Sequence, residues 1–149
     1  MKKLARILLA EDDPLSVELT MEVLEEYHLS NDVAIVEDGE QALDYLYHRG
    51  KYTNRPNGNP VVVLLDIKMP KVDGLEVLRQ VKSDPDLKAI PIVILTSSTM
   101  ESDLIESYNL GANAFVVKPV VFPDFVEAIK TLGVFWALIN TPPTGSLTK

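Results

Sequence analysis

Acids, a hydroxyl and a base recur in this chain where they can act as one group: Glu11-Asp12-Asp13, Asp66, Thr96 and Lys118 each follow a short run of apolar, mostly branched residues. Singly, each has an ordinary role. Asp13 can cap a helix, Asp66 can start a turn, Thr96 can end a strand and Lys118 can sit in solvent. Together they make an acidic site with one base. Two carboxylates ~4 Å apart repel by about 4 kcal/mol at an effective dielectric near 20, so Glu11, Asp12 and Asp66 need a cation or raised pKa values. One lysine does not neutralise three acids. A hard divalent ion with oxygen ligands suits the set, and Mg²⁺ suits it best, because it keeps much of its water and bridges to phosphoryl oxygens. With the charge balanced in that way, Asp66 can act as a nucleophile and form an aspartyl phosphate. The Thr96 hydroxyl and the Lys118 ammonium would bind its oxygens.

Such a site needs elements that bring distant residues to one edge. Five near-continuous apolar runs read as buried strands: Ile7-Leu8-Leu9-Ala10, Val33-Ala34-Ile35-Val36, Val61-Val62-Val63-Leu64-Leu65, Ile92-Val93-Ile94-Leu95 and Ala114-Phe115-Val116-Val117. Helical spacing fills the gaps. It is carried by Val17, Met21, Val23 and Leu24, by Ala42, Leu43 and Leu46, by Leu75, Leu78 and Val81, by Leu104, Ile105 and Tyr108, and by Phe125, Ile129 and Leu132. The alternation predicts an α/β fold of (βα)5 type, a doubly wound, five-stranded parallel sheet flanked by five helices, with its crevice outside the carboxyl ends of the strands. Asp13 before Pro14 and Asp38 before Gly39 mark helix starts, and Gly111 a helix end. Residues 49–60, with Gly50, Pro56, Asn57-Gly58 and Asn59-Pro60, read as a surface excursion. The expected division is one domain over residues 1–140 and a disordered tail over 141–149.

Composition narrows the function. Among 149 residues, 22 acids against 14 bases give a net charge of −8, which disfavours nucleic acid and anionic membranes. Zero cysteines remove disulfides, thiolate metal sites and a cysteine nucleophile. The apolar run at residues 4–10 is broken by Arg6 and ends in acids, unlike an export signal or a membrane span, so a cytoplasmic location is expected.

Four segments carry a family resemblance. Leu8-Leu9-Ala10-Glu11-Asp12-Asp13, Asp66-Ile67-Lys68-Met69-Pro70-Lys71-Val72-Asp73-Gly74, Ile94-Leu95-Thr96-Ser97 and Gly111-Ala112-Asn113-Ala114-Phe115-Val116-Val117-Lys118-Pro119 resemble the response-regulator receiver domain in order and spacing. The resemblance implies a CheY-like fold with Asp66 as phosphoacceptor. It implies Glu11, Asp12, Asp66 and the Lys68 main-chain carbonyl as Mg²⁺ ligands, Thr96 as switch hydroxyl, Phe115 as switch aromatic, and Lys118 as phosphate-binding base with a cis Lys118-Pro119 peptide. Asp13, one place beyond the acid pair, is left to helix capping. The longer loop at residues 49–60 and the Phe135-Trp136-Ala137-Leu138-Ile139 ending are similar to small response regulators paired with cyanobacterial phytochromes, which implies a light-sensing histidine kinase as partner. The alternative is a receiver or phosphorelay intermediate served by a non-phytochrome histidine kinase.

Output in this reading is a surface change: Thr96 moves toward new phosphate oxygens, Phe115 turns into the space, and the face of the fourth helix, fifth strand and fifth helix is altered. Residues 133–139 are apolar on every side, so a homodimer through that face, including Phe135 and Trp136, is expected over an extension of the domain's own core. Rival functions fit less well. An aspartate-nucleophile phosphatase needs a second acid where Lys68 stands, so at most slow self-dephosphorylation is expected and no enzyme. A flavin site needs a phosphate-cradling turn where Glu11-Asp12-Asp13-Pro14 would repel phosphate. A phosphorylation-independent adaptor would not need the full set of acids with Thr96 and Lys118. His28 and His48 close helical segments and read as structural, and Tyr45, Tyr47, Tyr52 and Tyr108 as packing or rim residues.

Overall fold

The computed structural model describes residues 5–97, 111, 114–133 and 137–138. Five strands form one parallel sheet: β1 (Ile7–Ala10), β2 (Val33–Val36), β3 (Val62–Asp66), β4 (Ile92–Thr96) and β5 (Ala114–Val117), in the order β2-β1-β3-β4-β5. The helices described are α1 (Pro14–Glu25), α2 (Gly39–Tyr47), α3 (Gly74–Ser83) and α4 (Phe122–Leu132). α4 is the fifth helical segment of the sequence pattern. The fourth, marked by Leu104, Ile105 and Tyr108, lies outside the described residues, as do Phe135, Trp136 and the expected tail at 141–149.

Strand side chains alternate between two cores. Leu8, Ala10, Val63, Leu65, Ile92 and Ile94 pack under α2 and α3. Ile7, Leu9, Val62, Leu64, Val93 and Leu95 pack against α1 and α4, where Phe125 is fully buried. Both faces of the central strands are therefore dry, which is why these runs read as continuous and not alternating. β2 departs from that expectation. As an edge strand paired only with β1 it is half exposed, and Ile35 keeps 41% of its surface in solvent.

The helix starts follow local chemistry. The Asp13, Asp38 and Asp73 carboxylates accept hydrogen bonds from the main-chain N–H of Ser16, Gln41 and Glu76, with Pro14 opening α1. His28 (φ 59°) and His48 (φ 56°) take left-handed conformations where their helices end, and His48 is the C-cap of α2.

Two fastenings were not legible in the sequence. Residues 49–60 form the mostly exposed loop expected between α2 and β3, but the loop is tied back to the domain. Gly50–Tyr52 makes one 3₁₀ turn, and the buried Arg55 guanidinium donates to the Tyr45, Pro56 and Gly58 carbonyls at 2.6, 2.9 and 2.9 Å while lying over the Tyr45 ring. Beneath the sheet, Arg6 pairs with Asp32 at 2.6 Å and donates to the Ala137 and Leu138 carbonyls at 3.3 Å. Leu138 is 1% exposed and belongs to the core around Ile7 and Leu24, so part of the apolar ending serves the chain's own interior.

Arg55→Ala removes three charge-assisted hydrogen bonds and the ring contact together. We expect it to cost about 2 kcal/mol of stability, read as a lower urea midpoint at unchanged m-value. An unchanged midpoint would mean that the loop is not held by this side chain.

A strand-end acidic site

The strand order reverses direction between β1 and β3, and a crevice opens there beyond the carboxyl ends of the strands. Glu11 follows β1, and its main-chain N–H is held by the Val36 carbonyl at 3.0 Å. Asp66 is the last residue of β3 and Thr96 the last of β4, one place further into the strands than the apolar runs alone suggest. Lys118 follows β5, fixed by its N–H to the Thr96 carbonyl at 2.7 Å, and the Lys118-Pro119 peptide is cis, as the resemblance implied.

This convergence places the charges together. Glu11, Asp66 and Thr96 are buried, at 1%, 4% and 2% exposure, whereas Asp12 is open to solvent. Lys118 Nζ lies 2.9 Å from Glu11 Oε1 and 3.3 Å from Asp66 Oδ1. Carboxylate oxygens of Glu11, Asp12 and Asp66 lie within 4.8 Å of one another. Burial, and then the neighbouring Glu11 charge, push the Asp66 carboxyl up to about 7 against the pull of Lys118. Burial opposes the Lys118 charge, but the hydrogen bond to Glu11 and the Asp66 charge outweigh it and hold the ammonium above its usual range. Three acids on one ammonium thus leave a deficit of positive charge, and clustered oxygen donors of this kind fit a hard divalent cation.

The other expected residues fall around this centre. Lys68 stands in the loop after β3 that lines an open groove with Asp12. Phe115 is half buried, in register with Ile94 and so on the Thr96 face of the neighbouring strand two residues below it. Asp13 caps α1 and also donates its N–H to Glu11 Oε2 at 3.2 Å, which orients the buried acid. His28 and His48 belong to helix ends and not to this group. Sequence reading missed Gly74 as a site residue. An added Cβ there would lie 2.1 Å from the Asp66 carbonyl oxygen, so only glycine lets α3 start against the end of β3.

Fold and site define a class, and residues 7–130 match the response regulator receiver domain: the chain belongs to that family. Within it, the chain is 39% identical over 137 residues to "Response regulator Rcp1" of Synechocystis sp., covering 92% of each. The solved "Bacteriophytochrome response regulator RtBRR" is 58% identical with a TM-score of 0.84, covering 97% of this chain and 87% of that one. The phosphorylated cyanobacterial phytochrome response regulator RcpA is 36% identical with a TM-score of 0.75, covering 95% and 100%. An Mn²⁺-bound form of Rcp1 is 38% identical with a TM-score of 0.72, covering 91% and 95%. The chain is thus a phosphorelay receiver similar to the response regulators of phytochromes.

The folded Asp66 carboxyl holds its proton more tightly than an unfolded one near 3.8, so without metal it weakens the fold as pH rises from about 4 to about 7 and fully above that. In chelator, Asp66→Asn should raise stability at pH 8 by about 1–3 kcal/mol, and the gain should vanish toward pH 4. Denaturant titrations at the two pH values check the sign and the trend.

Proposed function

We propose that this receiver takes a phosphoryl group on Asp66 from a histidine kinase, most simply a phytochrome light sensor, and signals through the changed surface rather than as an enzyme. The observation that carries the reading is the Lys118 ammonium bridging buried Glu11 and Asp66 among oxygens that together suit a divalent ion. Glu11, Asp12, Asp66 and the Lys68 carbonyl would hold that ion, with Mg²⁺ the natural choice for oxygen donors and phosphoryl oxygens. When bound, the ion neutralises the carboxylates and the charge on the incoming phosphoryl group.

The chain's own residues do the rest. An Asp66 oxygen attacks phosphorus of a phosphohistidine; the P–O bond forms as the P–N bond breaks, and the bonding pair stays on the imidazole nitrogen, which takes up a proton from solvent. Lys118, already within 3.3 Å of Asp66, pairs with a phosphoryl oxygen. Thr96 supplies its hydroxyl to another, and Phe115, on the same sheet face, follows into the space vacated. No second acid stands at Lys68 to protonate a leaving group, which supports at most slow self-dephosphorylation.

The partner side has its own support. Leu15 and Val121, 60% and 44% exposed, flank the segments bearing Asp12 and Lys118 and offer an apolar rim for a phosphodonor protein. The similarity to RtBRR and to phosphorylated RcpA favours a phytochrome kinase over another histidine kinase. No helix among the described residues is long and apolar enough to cross a membrane, and the net charge of −8 disfavours nucleic acid. Phosphoryl exchange with a histidine kinase is our ground for assigning the chain to the cytoplasm. A homodimer through the fourth helical segment, β5 and α4, with Phe135 and Trp136, remains our reading of the apolar ending, although Leu138 contributes to the chain's own core.

Incubation with acetyl phosphate or a phosphorylated kinase should label wild type in Mg²⁺, with at least tenfold less label in chelator and none on Asp66→Asn. Metal-independent labelling, or equal labelling of the variant, would reject the chemistry. Sedimentation at micromolar concentration should give a dimer mass; a monomer with and without phosphate would remove the dimer.

A further inference from the structure

In the loop at residues 67–73, Lys68 and Asp73 line the acidic groove with Asp12, and Val72 abuts the start of α2. That abutment is tight. A Cβ on Gly39 would lie 1.8 Å from the Val72 carbonyl oxygen and 2.8 Å from Val72 Cβ, so the first turn of α2 touches loop backbone with no room for a side chain. Val72 itself packs against the core under α2 and α3. The neighbouring Lys71 holds a left-handed φ of 68°, unusual for a residue with a Cβ, and its ammonium reaches Asp38 at 3.8 Å and Glu40 at 3.5 Å, both at the same helix end. The α2 start is itself anchored, since Asp38 caps Gln41 N–H and the Gln41 side chain accepts from Glu37 N–H. On the other flank, the Gly74 N–H donates to the Ile67 carbonyl at 2.7 Å and closes the loop.

A loop pinned at both flanks and braced from behind has little freedom in where it presents its carbonyls. We propose that Gly39 and Val72 are positioning residues for cation binding: the abutment of α2 on the loop sets where the Lys68 carbonyl stands relative to Glu11, Asp12 and Asp66. The inference rests on the reading of those four groups as ligands. A Cβ at position 39 must displace the Val72 carbonyl by more than 1 Å to reach an ordinary contact, and a loop pinned at both flanks must shift with it. A ligand displaced on that scale costs affinity, because small cations demand near-ideal ligand geometry.

The test uses Mn²⁺ alone as probe, with affinity read by its electron paramagnetic resonance signal on the full chain, well below each protein's melting temperature. Gly39→Ala should bind Mn²⁺ at least tenfold more weakly than wild type, and Val72→Ala, which keeps the abutting carbonyl and Cβ but removes the methyl groups that anchor the loop in the core, about threefold more weakly. The control Leu138→Ala, buried in the core away from the loop, should lower the melting temperature while leaving Mn²⁺ affinity within twofold. If Gly39→Ala does not fold, Val72→Ala decides. Affinities of the folded variants within twofold of wild type would overturn the proposal, as would an equal loss in Leu138→Ala. Absence of Mn²⁺ binding by wild type itself would instead strike the ligand reading on which the proposal rests.

Discussion

Three carboxylates and one ammonium at the end of a parallel sheet set the terms for the rest of this molecule. Their repulsion is not relieved by solvent, because Glu11 and Asp66 are buried, and it is only partly relieved by Lys118, which contacts both. Burial first, and the neighbouring Glu11 charge second, hold the Asp66 carboxyl above the usual carboxylate range despite Lys118. A fold that tolerates such a group holds an electrostatic cost in reserve, of the order of a few kcal/mol at close range. Anything that supplies positive charge there is bound with that cost as part of the driving force. The same imbalance makes the site responsive, since a phosphoryl group adds a further charge of about −1.5 to −2 that must be met by a cation or by Lys118.

The remainder of the structure can be understood as the means of keeping these charges together. The two dry faces of the sheet fix the strands in register, so that residues separated by as much as 107 positions, Glu11 and Lys118, meet at one edge. Hydrogen bonds at the strand ends, from Glu11 to Val36 and from Lys118 to Thr96, extend that register one residue into the loops. Gly39 and Gly74 permit backbone contacts that a Cβ would forbid, and both lie beside the loop that follows Asp66. Arg55 and the Arg6–Asp32 pair do comparable work far from the site, fastening residues 49–60 and the segment at 137–138 to the body of the domain.

A signalling role places opposing demands on such a scaffold. The site must be rigid enough to position its oxygens, and the surface beyond β4 and β5 must have two arrangements close in free energy. Thr96 is buried at the last position of β4, while Phe115 on edge strand β5 is only half buried and borders an open cleft with α4. Burial is thus concentrated around Asp66 and Thr96 and partial exposure at the β5 edge, a distribution compatible with the switch proposed for Thr96 and Phe115.

Much of this was legible in the residues themselves. Strand runs buried on both faces have no polar interruption, so β1, β3 and β4 announced themselves, and the chemistry of Glu11, Asp12, Asp66, Thr96 and Lys118 could be assembled because each sits where such a run stops. Aspartates before Pro14 and Gly39 fixed helix starts through purely local hydrogen bonds. Tertiary structure alone decided what depends on distant neighbours. The exposure of β2 follows from its edge position, the burial of Arg55 from carbonyls that only the folded loop brings round it, and the Glu11–Lys118 contact from strand order. The seating of Leu138 follows from the core around Ile7 and Leu24 that receives its side chain and from Arg6, which holds its carbonyl. Periodicity and capping are read within one turn of a helix or one strand, whereas a contact across the sheet depends on chain topology, and topology is decided by the packing of the whole.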